Sequence, residues 1–292
     1  MSRANKSWYR GEHCNFGPNK KQVKSKEAFD KFIINGWQPS QPFISKKTPI
    51  IAFGSCFAIE ITRFLSERGY SIASSEGDGV IDFRAGVNNT FAIRQLFEWV
   101  YEDKLFLEET WHDEDKGVIA RSRKIREHSL KTFEKANVFI LTLGLSEVWY
   151  NKKTNAVFWR AIPKRQFDPR VHAFKVSSFK ENKENIQYIF DTIKKIKPNA
   201  KVIFTVSPVP LVATFRAESC LTANSVSKSI LRAAVDEFYR ENDGASREDL
   251  FYWPSYEIVE KLYEDPYRPD NRHIKKDCVN FIMNKFKKYY IK

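Results

Sequence analysis

The sequence predicts an α/β fold: a three-layer sandwich with a parallel five-stranded sheet of flavodoxin-like order, helices on both faces and an inserted β-hairpin. Three observations predict it. Short apolar runs without polar alternation, such as Ile50-Ile51-Ala52-Phe53, have the pattern of strands buried on both faces. Most of these runs alternate with segments whose apolar residues recur at spacings of three and four, the period of an amphipathic helix. The 292 residues, 42% hydrophobic and 15% aromatic, are enough for one large core.

Residues 1–47 lack clear periodicity and contain Gly17-Pro18, Pro39 and Pro42, which predicts a basic extended arm with one helix near Lys26–Ile34. The folded domain is expected over residues 48–292, ending in a basic helix. Its first buried strand runs from Pro49 to Phe53 and stops at Gly54-Ser55. Phe57 to Arg68 then reads as a helix, because Phe57, Ile61, Phe64 and Leu65 share one face while Glu60, Arg63 and Glu67 fall on the other. Gly69 ends that helix, and Tyr70–Ser74 is the expected second strand. Helices follow over Phe91–Tyr101, behind Asn88-Asn89-Thr90, and over Lys124–Lys135. Asn137–Leu143 is the third strand and ends at Gly144.

Val148-Trp149-Tyr150 and Val157-Phe158-Trp159 flank the turn-forming stretch Asn151–Asn155, which predicts the hairpin, an insertion placed to shape a pocket. A helix over Phe179–Ile196 and a strand over Lys201–Val206 come next. A helix over Ser225–Arg240 capped by Asn224 and a strand at Leu250–Tyr252 complete the alternation. Ligands of such sheets bind beyond the carboxyl ends of the strands, so the loops of interest begin at Gly54, Gly86, Gly144, Ser207 and just past Trp253.

The formal net charge of +13 is unevenly placed. Residues 1–47 hold ten Lys/Arg against three Asp/Glu and residues 271–292 hold seven against one, so the middle of the chain carries 32 of each sign. A neutral body with basic ends argues against a nucleic-acid binder, which concentrates positive charge on its working face. It leaves open a peripheral contact with an anionic surface, for which Lys285, Lys287 and Lys288 on a basic C-terminal helix are candidates. Four scattered cysteines, Cys14, Cys56, Cys220 and Cys278, show no metal-ligand or disulfide spacing, and the polar N-terminus has no signal-peptide core. Both point to reduced thiols and a cytoplasmic protein.

Two segments have the residue types for nucleophilic catalysis. Ser55 lies between a glycine and a helix start, where backbone N–H groups and the helix dipole favour developing negative charge. The same placement is also that of an ordinary N-cap. Late in the chain, Asp270-Asn271-Arg272-His273 puts a carboxylate and an imidazole three residues apart, so that the carboxylate can fix the ring while the other nitrogen faces a hydroxyl. Cys56 is expected to turn toward the core when Ser55 faces the cleft. Trp149 and Trp159 suit either stacking on a sugar ring or cross-strand packing.

Gly54-Ser55-Cys56-Phe57-Ala58 matches the signature of the GSCFA family, an SGNH-hydrolase-like (GDSL-like) branch. Leu143-Gly144-Leu145-Ser146-Glu147-Val148-Trp149 resembles a second block of that family. Ala223-Asn224 with Ser227-Lys228 and Leu231-Arg232-Ala233 resemble a third, and Asp270 through His273 supplies the closing D-x-x-H. The blocks occur in the family's order over roughly residues 48–285. The resemblance implies Ser55 as nucleophile, His273 as general base and acid, and Asp270 as the group orienting His273. It further implies oxyanion donors among Gly86, Asn88 and Asn89. Gly144-Leu145-Ser146 stands where SGNH enzymes carry G-x-N, so Ser146 or a neighbour replaces the asparagine. Glu147 is implied as a substrate contact or as a residue orienting Ser146, with a helix cap as the alternative. No metal or cofactor is called for.

The expected function is a serine-dependent ester hydrolase or O-acyltransferase acting on an acyl group, such as acetyl, of a carbohydrate-like substrate in polysaccharide biosynthesis. The alternative is a non-catalytic binding module for an anionic polymer on the same fold.

Overall fold

A computed structural model describes residues 11, 13–73, 87–104, 112–113, 117–118 and 123–292. Among the described residues two short helices come first, α1 (Lys20–Val23) and α2 (Ala28–Phe32). Strand β1 (Ile50–Gly54) leads directly into α3 (Cys56–Ser66), and α4 (Thr90–Glu102) follows. A small ribbon, β2 (His112–Asp113) with β3 (Gly117–Val118), precedes α5 (Arg123–Lys135) and β4 (Val138–Leu143). Next are β5 (Glu147–Asn151), β6 (His172–Val176), α6 (Phe179–Ile196) and β7 (Lys201–Val206). The chain ends with α7 (Cys220–Glu241), β8 (Leu250–Tyr252), α8 (Ser255–Leu262) and α9 (Lys276–Tyr290).

The central sheet is parallel, with β1, β4, β7 and β8 adjacent in that order. The expected second strand survives as a single parallel bridge, Ile50 to Ile72, on the outer edge of β1. That edge placement keeps the flavodoxin-like order, with four named strands in the sheet among the described residues. Every residue of β1, β4 and β8 is buried, as their near-continuous apolar runs require.

The strand residues divide between two cores. Ile51, Phe53, Phe139, Leu141, Val202 and Phe204 pack on one face against side chains of α4, α6 and α7. Ile50, Ala52, Val138, Ile140, Ile203 and Phe251 pack on the other against α3, α8 and α9. Alternation within one strand thus fills both faces. Phe53, Phe97, Phe133 and Phe139 form an aromatic cluster, with Phe53 within 5.4 Å of Phe97 and 5.3 Å of Phe133.

Part of the N-terminal segment belongs to the second core. Phe29, Ile34 and Ile44 are buried there, and the backbone N–H groups of Phe43 and Ile44 donate to the Tyr290 carbonyl. Asp30 ties the two basic ends of the chain together: Tyr289 donates to its carboxylate at 2.5 Å, Lys288 lies at 2.9 Å and Lys285 at 3.2 Å. Burial raises the Asp30 pKa, but these hydrogen bonds outweigh it and hold the carboxyl at about 2. Two of the three candidate lysines on the C-terminal helix are thereby paired internally.

Two expectations need correction. The expected hairpin reduces to one antiparallel bridge, Tyr150 to Val157, and the full partner of β5 is β6, antiparallel over Glu147–Asn151 and His172–Val176. His172 is buried and the other four residues of β6, Lys175 among them, are half-buried, so the strand lacks the apolar run that marked the others. Helix α7 begins at Cys220, and Asn224 lies inside its second turn instead of capping it. The Asn224 side chain instead accepts a hydrogen bond from the Leu211 N–H at 3.0 Å. Among the described residues, no helix is long and apolar enough to cross a membrane.

Candidate active site

Gly54 makes the turn from β1 into α3. Its φ is +126°, and a β-carbon there would sit 1.9 Å from the Thr142 carbonyl oxygen of β4, so only glycine fits. Ser55 follows as N-cap of α3, its hydroxyl accepting the Phe57 N–H at 3.3 Å. The same hydroxyl donates to Ser207 Oγ at 2.8 Å, at the end of β7. Ser55 is therefore held between two strand ends, at the positive pole of α3.

A cavity of about 230 Å³ opens over this serine. It is bounded by Ser55 and Cys56, by Asn88 and Asn89, by Gly144, Leu145 and Glu147, and by the loop Val209–Ala213. Trp149, Phe158, Trp159, Phe174 and Phe215 make most of the remaining wall apolar and aromatic. Trp149 packs edge-on against Phe174 and Phe215, while Trp159 is locked by its indole N–H donating to Gln95 Oε1 at 2.7 Å.

His273 and Asp270 meet as their spacing predicts. The Nδ1 of His273 lies 2.5 Å from Asp270 Oδ2, and the His273 backbone N–H donates to Asp270 Oδ1 at 2.9 Å. The hydrogen bonds from the His273 side chain, the His273 backbone and the Arg272 backbone hold the Asp270 carboxyl at about 2. His273 shares a small cavity with Cys56 and Phe57, the two residues after Ser55, and Arg272 lines the larger one. The imidazole thus stands at the same corner of the sheet as the serine, with Nε2 free of the carboxylate. The Ser55 hydroxyl is turned to Ser207, and no hydrogen bond joins it to His273.

The remaining candidates divide by position. Asn88 lines the cavity, and its Oδ1 is buried without a hydrogen-bond partner. Asn89 also lines it, but its side chain is occupied, accepting the Ala92 N–H at 2.9 Å and donating to the Trp159 carbonyl at 3.3 Å. Gly144 is there for close approach: its N–H donates to the Asn88 carbonyl, and a β-carbon would fall 2.8 Å from that oxygen. Gly86 lies outside the described residues. Ser146 is fully buried and absent from the cavity wall; Ser227 Oγ accepts its N–H at 2.8 Å and takes its hydroxyl at 3.3 Å.

Glu147 lines the cavity with only 7% of its surface exposed. Thr214 donates to its Oε1 at 3.1 Å, and its Oε2 is buried with no partner. Cys56, expected in the core, is instead half-buried on the walls of both cavities, because the first turn of α3 projects beyond the sheet. Ser207, Thr214 and Arg272 were not legible as site residues, since each acts through a contact more than fifty positions away. The only local signal was Ser207-Pro208 closing a buried strand at its carboxyl end.

These features define an open parallel α/β protein with a serine and an Asp–His pair at the carboxyl edge of its sheet. The chain belongs to the GSCFA family, which it matches over residues 49–286. Solved structures that resemble it include a Clostridium thermocellum family 3 carbohydrate esterase, with 13% identity, a TM-score of 0.38, and coverage of 84% of this chain and 95% of that one. A family 3 carbohydrate esterase from Talaromyces cellulolyticus gives 11%, 0.40, 82% and 94%. A GDSL-like lipase from Bacteroides thetaiotaomicron gives 13%, 0.42, 83% and 86%. None of the curated proteins compared with the chain matches it.

Proposed function

We propose that this protein is a serine-dependent ester hydrolase or O-acyltransferase that acts on an acyl group, such as acetyl, of a carbohydrate-like substrate. The observation that supports it most is that a helix-capping serine and a carboxylate-oriented histidine line two adjoining cavities whose walls share Cys56 and Val209. The aromatic wall with an embedded carboxylate suits a sugar, which offers apolar ring faces and hydroxyl donors.

In this reading the Ser55 hydroxyl leaves Ser207 when substrate enters and turns to His273, since catalytic hydrogen bonds often tighten only with substrate bound. Ser55 Oγ attacks the ester carbonyl carbon while its proton passes to His273 Nε2. The carbonyl π-electrons move onto oxygen, which the α3 N-terminus and the Asn88 amide stabilise. The tetrahedral state collapses, the C–O bond to the alcohol breaks, and His273 returns the proton to the departing oxygen. Water or a second alcohol then attacks acyl-Ser55 with His273 again as base, releasing acid or a new ester.

The test is turnover of 4-nitrophenyl acetate by the full chain. Ser55→Ala and His273→Ala should each lower kcat by at least about 10³-fold with the fold unchanged. Wild-type turnover in either variant refutes the mechanism.

A further inference from the structure

One helix face, unused by the reaction just described, touches both loops that wall the cavity. Asn224, Ser227 and Lys228 lie at spacings of three and one along α7, which places them on the same side of the helix. Asn224 Oδ1 accepts the Leu211 N–H at 3.0 Å, and Ser227 Oγ accepts the Ser146 N–H at 2.8 Å. Lys228 joins the two loops directly, its Nζ donating to the Gly144 carbonyl at 2.6 Å and to the Val209 carbonyl at 2.8 Å.

From Lys228 the bonds continue to the reacting corner on two sides. The Val209 N–H donates to Ser207 Oγ at 3.2 Å, and Ser207 Oγ accepts the Ser55 hydroxyl at 2.8 Å. On the other side the Gly144 N–H donates at 2.9 Å to the carbonyl of Asn88. Ser55 and Asn88 are therefore the ends of two hydrogen-bonded arms that share one ammonium.

A lysine with no exposed surface is an expensive filler for a core position. Methionine would fill similar space without desolvation. What lysine supplies is two donors at a point where two strand ends leave their carbonyls pointing inward, groups that would otherwise lack partners. Neutral or charged, the amine has the two hydrogens needed for both carbonyls.

We propose that Asn224, Ser227 and Lys228 are positioning residues: α7 clamps the loops at Gly144–Ser146 and Val209–Leu211 and thereby fixes the spacing between Ser55 and Asn88. The kinetic consequence rests on the proposed function, whereas the clamp itself does not.

The experiment compares wild type with Lys228→Met and with the Asn224→Ala/Ser227→Ala double variant, using amide hydrogen exchange and 4-nitrophenyl acetate kinetics on the full chain. Protection of the backbone at residues 143–147 and 207–212 should fall by about tenfold or more, while β1 and β4 before Leu143 keep theirs. In the kinetics, kcat should fall about 10- to 10²-fold with KM within about threefold, the signature of misplacement without lost binding. Unchanged exchange in both loops, or loss of protection spread evenly over the whole sheet, overturns the clamp. If Lys228→Met does not fold, the double variant decides by the same exchange readout. If the wild type shows no esterase turnover, the functional reading fails and the exchange data alone decide the clamp.

Discussion

At the residue scale the proposed chemistry depends on which side chain beside Gly54 reacts. Cys56 shares the cavity with Ser55, so Cys56→Ala is the needed control: esterase turnover should stay within about threefold of wild type, whereas Ser55→Ala should abolish it. In the proposed mechanism Asp270 would orient the imidazole without exchanging a proton in the working pH range, because its carboxyl is held at about 2. Asp270→Asn should therefore lower kcat by up to about 10⁴-fold, and any acid limb of the wild-type pH–rate profile above pH 4 belongs to another group. Gly54→Ala should fail to fold or lose about 3 kcal/mol or more in urea unfolding, since both its dihedral and the Thr142 carbonyl exclude a side chain. The placement of Ser55 at a helix start and the contact of Asp270 with His273 were legible in the sequence because each has a local signal, a strand–glycine–helix junction or a three-residue turn. Ser207 was not, because a serine ending a strand has no visible partner until the sheet brings β7 beside β4, and so within reach of β1.

At the element scale, fully buried strands and amphipathic helices were read within a residue or two wherever one pattern ran undisturbed, as in β4, α6 and β7. The failures share a cause. Strand β6 pairs outside the central sheet with four of its five residues half-buried, so polar and apolar side chains mix and no run appears. The start of α7 was misplaced because Asn224 has the type of a cap but spends its oxygen on Leu211. Helix α6 is closed at its start by a capping box, Ser178 accepting the Glu181 N–H while Glu181 reaches back to the Ser178 N–H. Ser178→Ala should cost about 1 kcal/mol of stability in thermal or urea unfolding, with esterase activity intact. A loss well above that would mean the serine also supports the neighbouring buried network of Ser177 and Asn182.

For the whole molecule, the neutral body and basic ends take on a structural meaning: Asp30 collects Lys285 and Lys288, so part of the terminal charge closes the second core. Lys228 gives the protein a distinctive pH response. Burial pushes its pKa from the ordinary 10.5 down to about 7. Between those values unfolding takes up a proton that the folded chain has released, so this group makes stability rise as pH increases from about 7 toward 10.5. Melting temperatures across that range should show the rise in wild type and a flatter profile in Lys228→Met; equal slopes would contradict it. The most direct test of the central claim is mapping the adduct of a fluorophosphonate ester on the full chain by peptide mass spectrometry. Ser55 should be modified in wild type and far more slowly in His273→Ala. Labelling at Cys56 or any other residue, with Ser55 untouched, would contradict it.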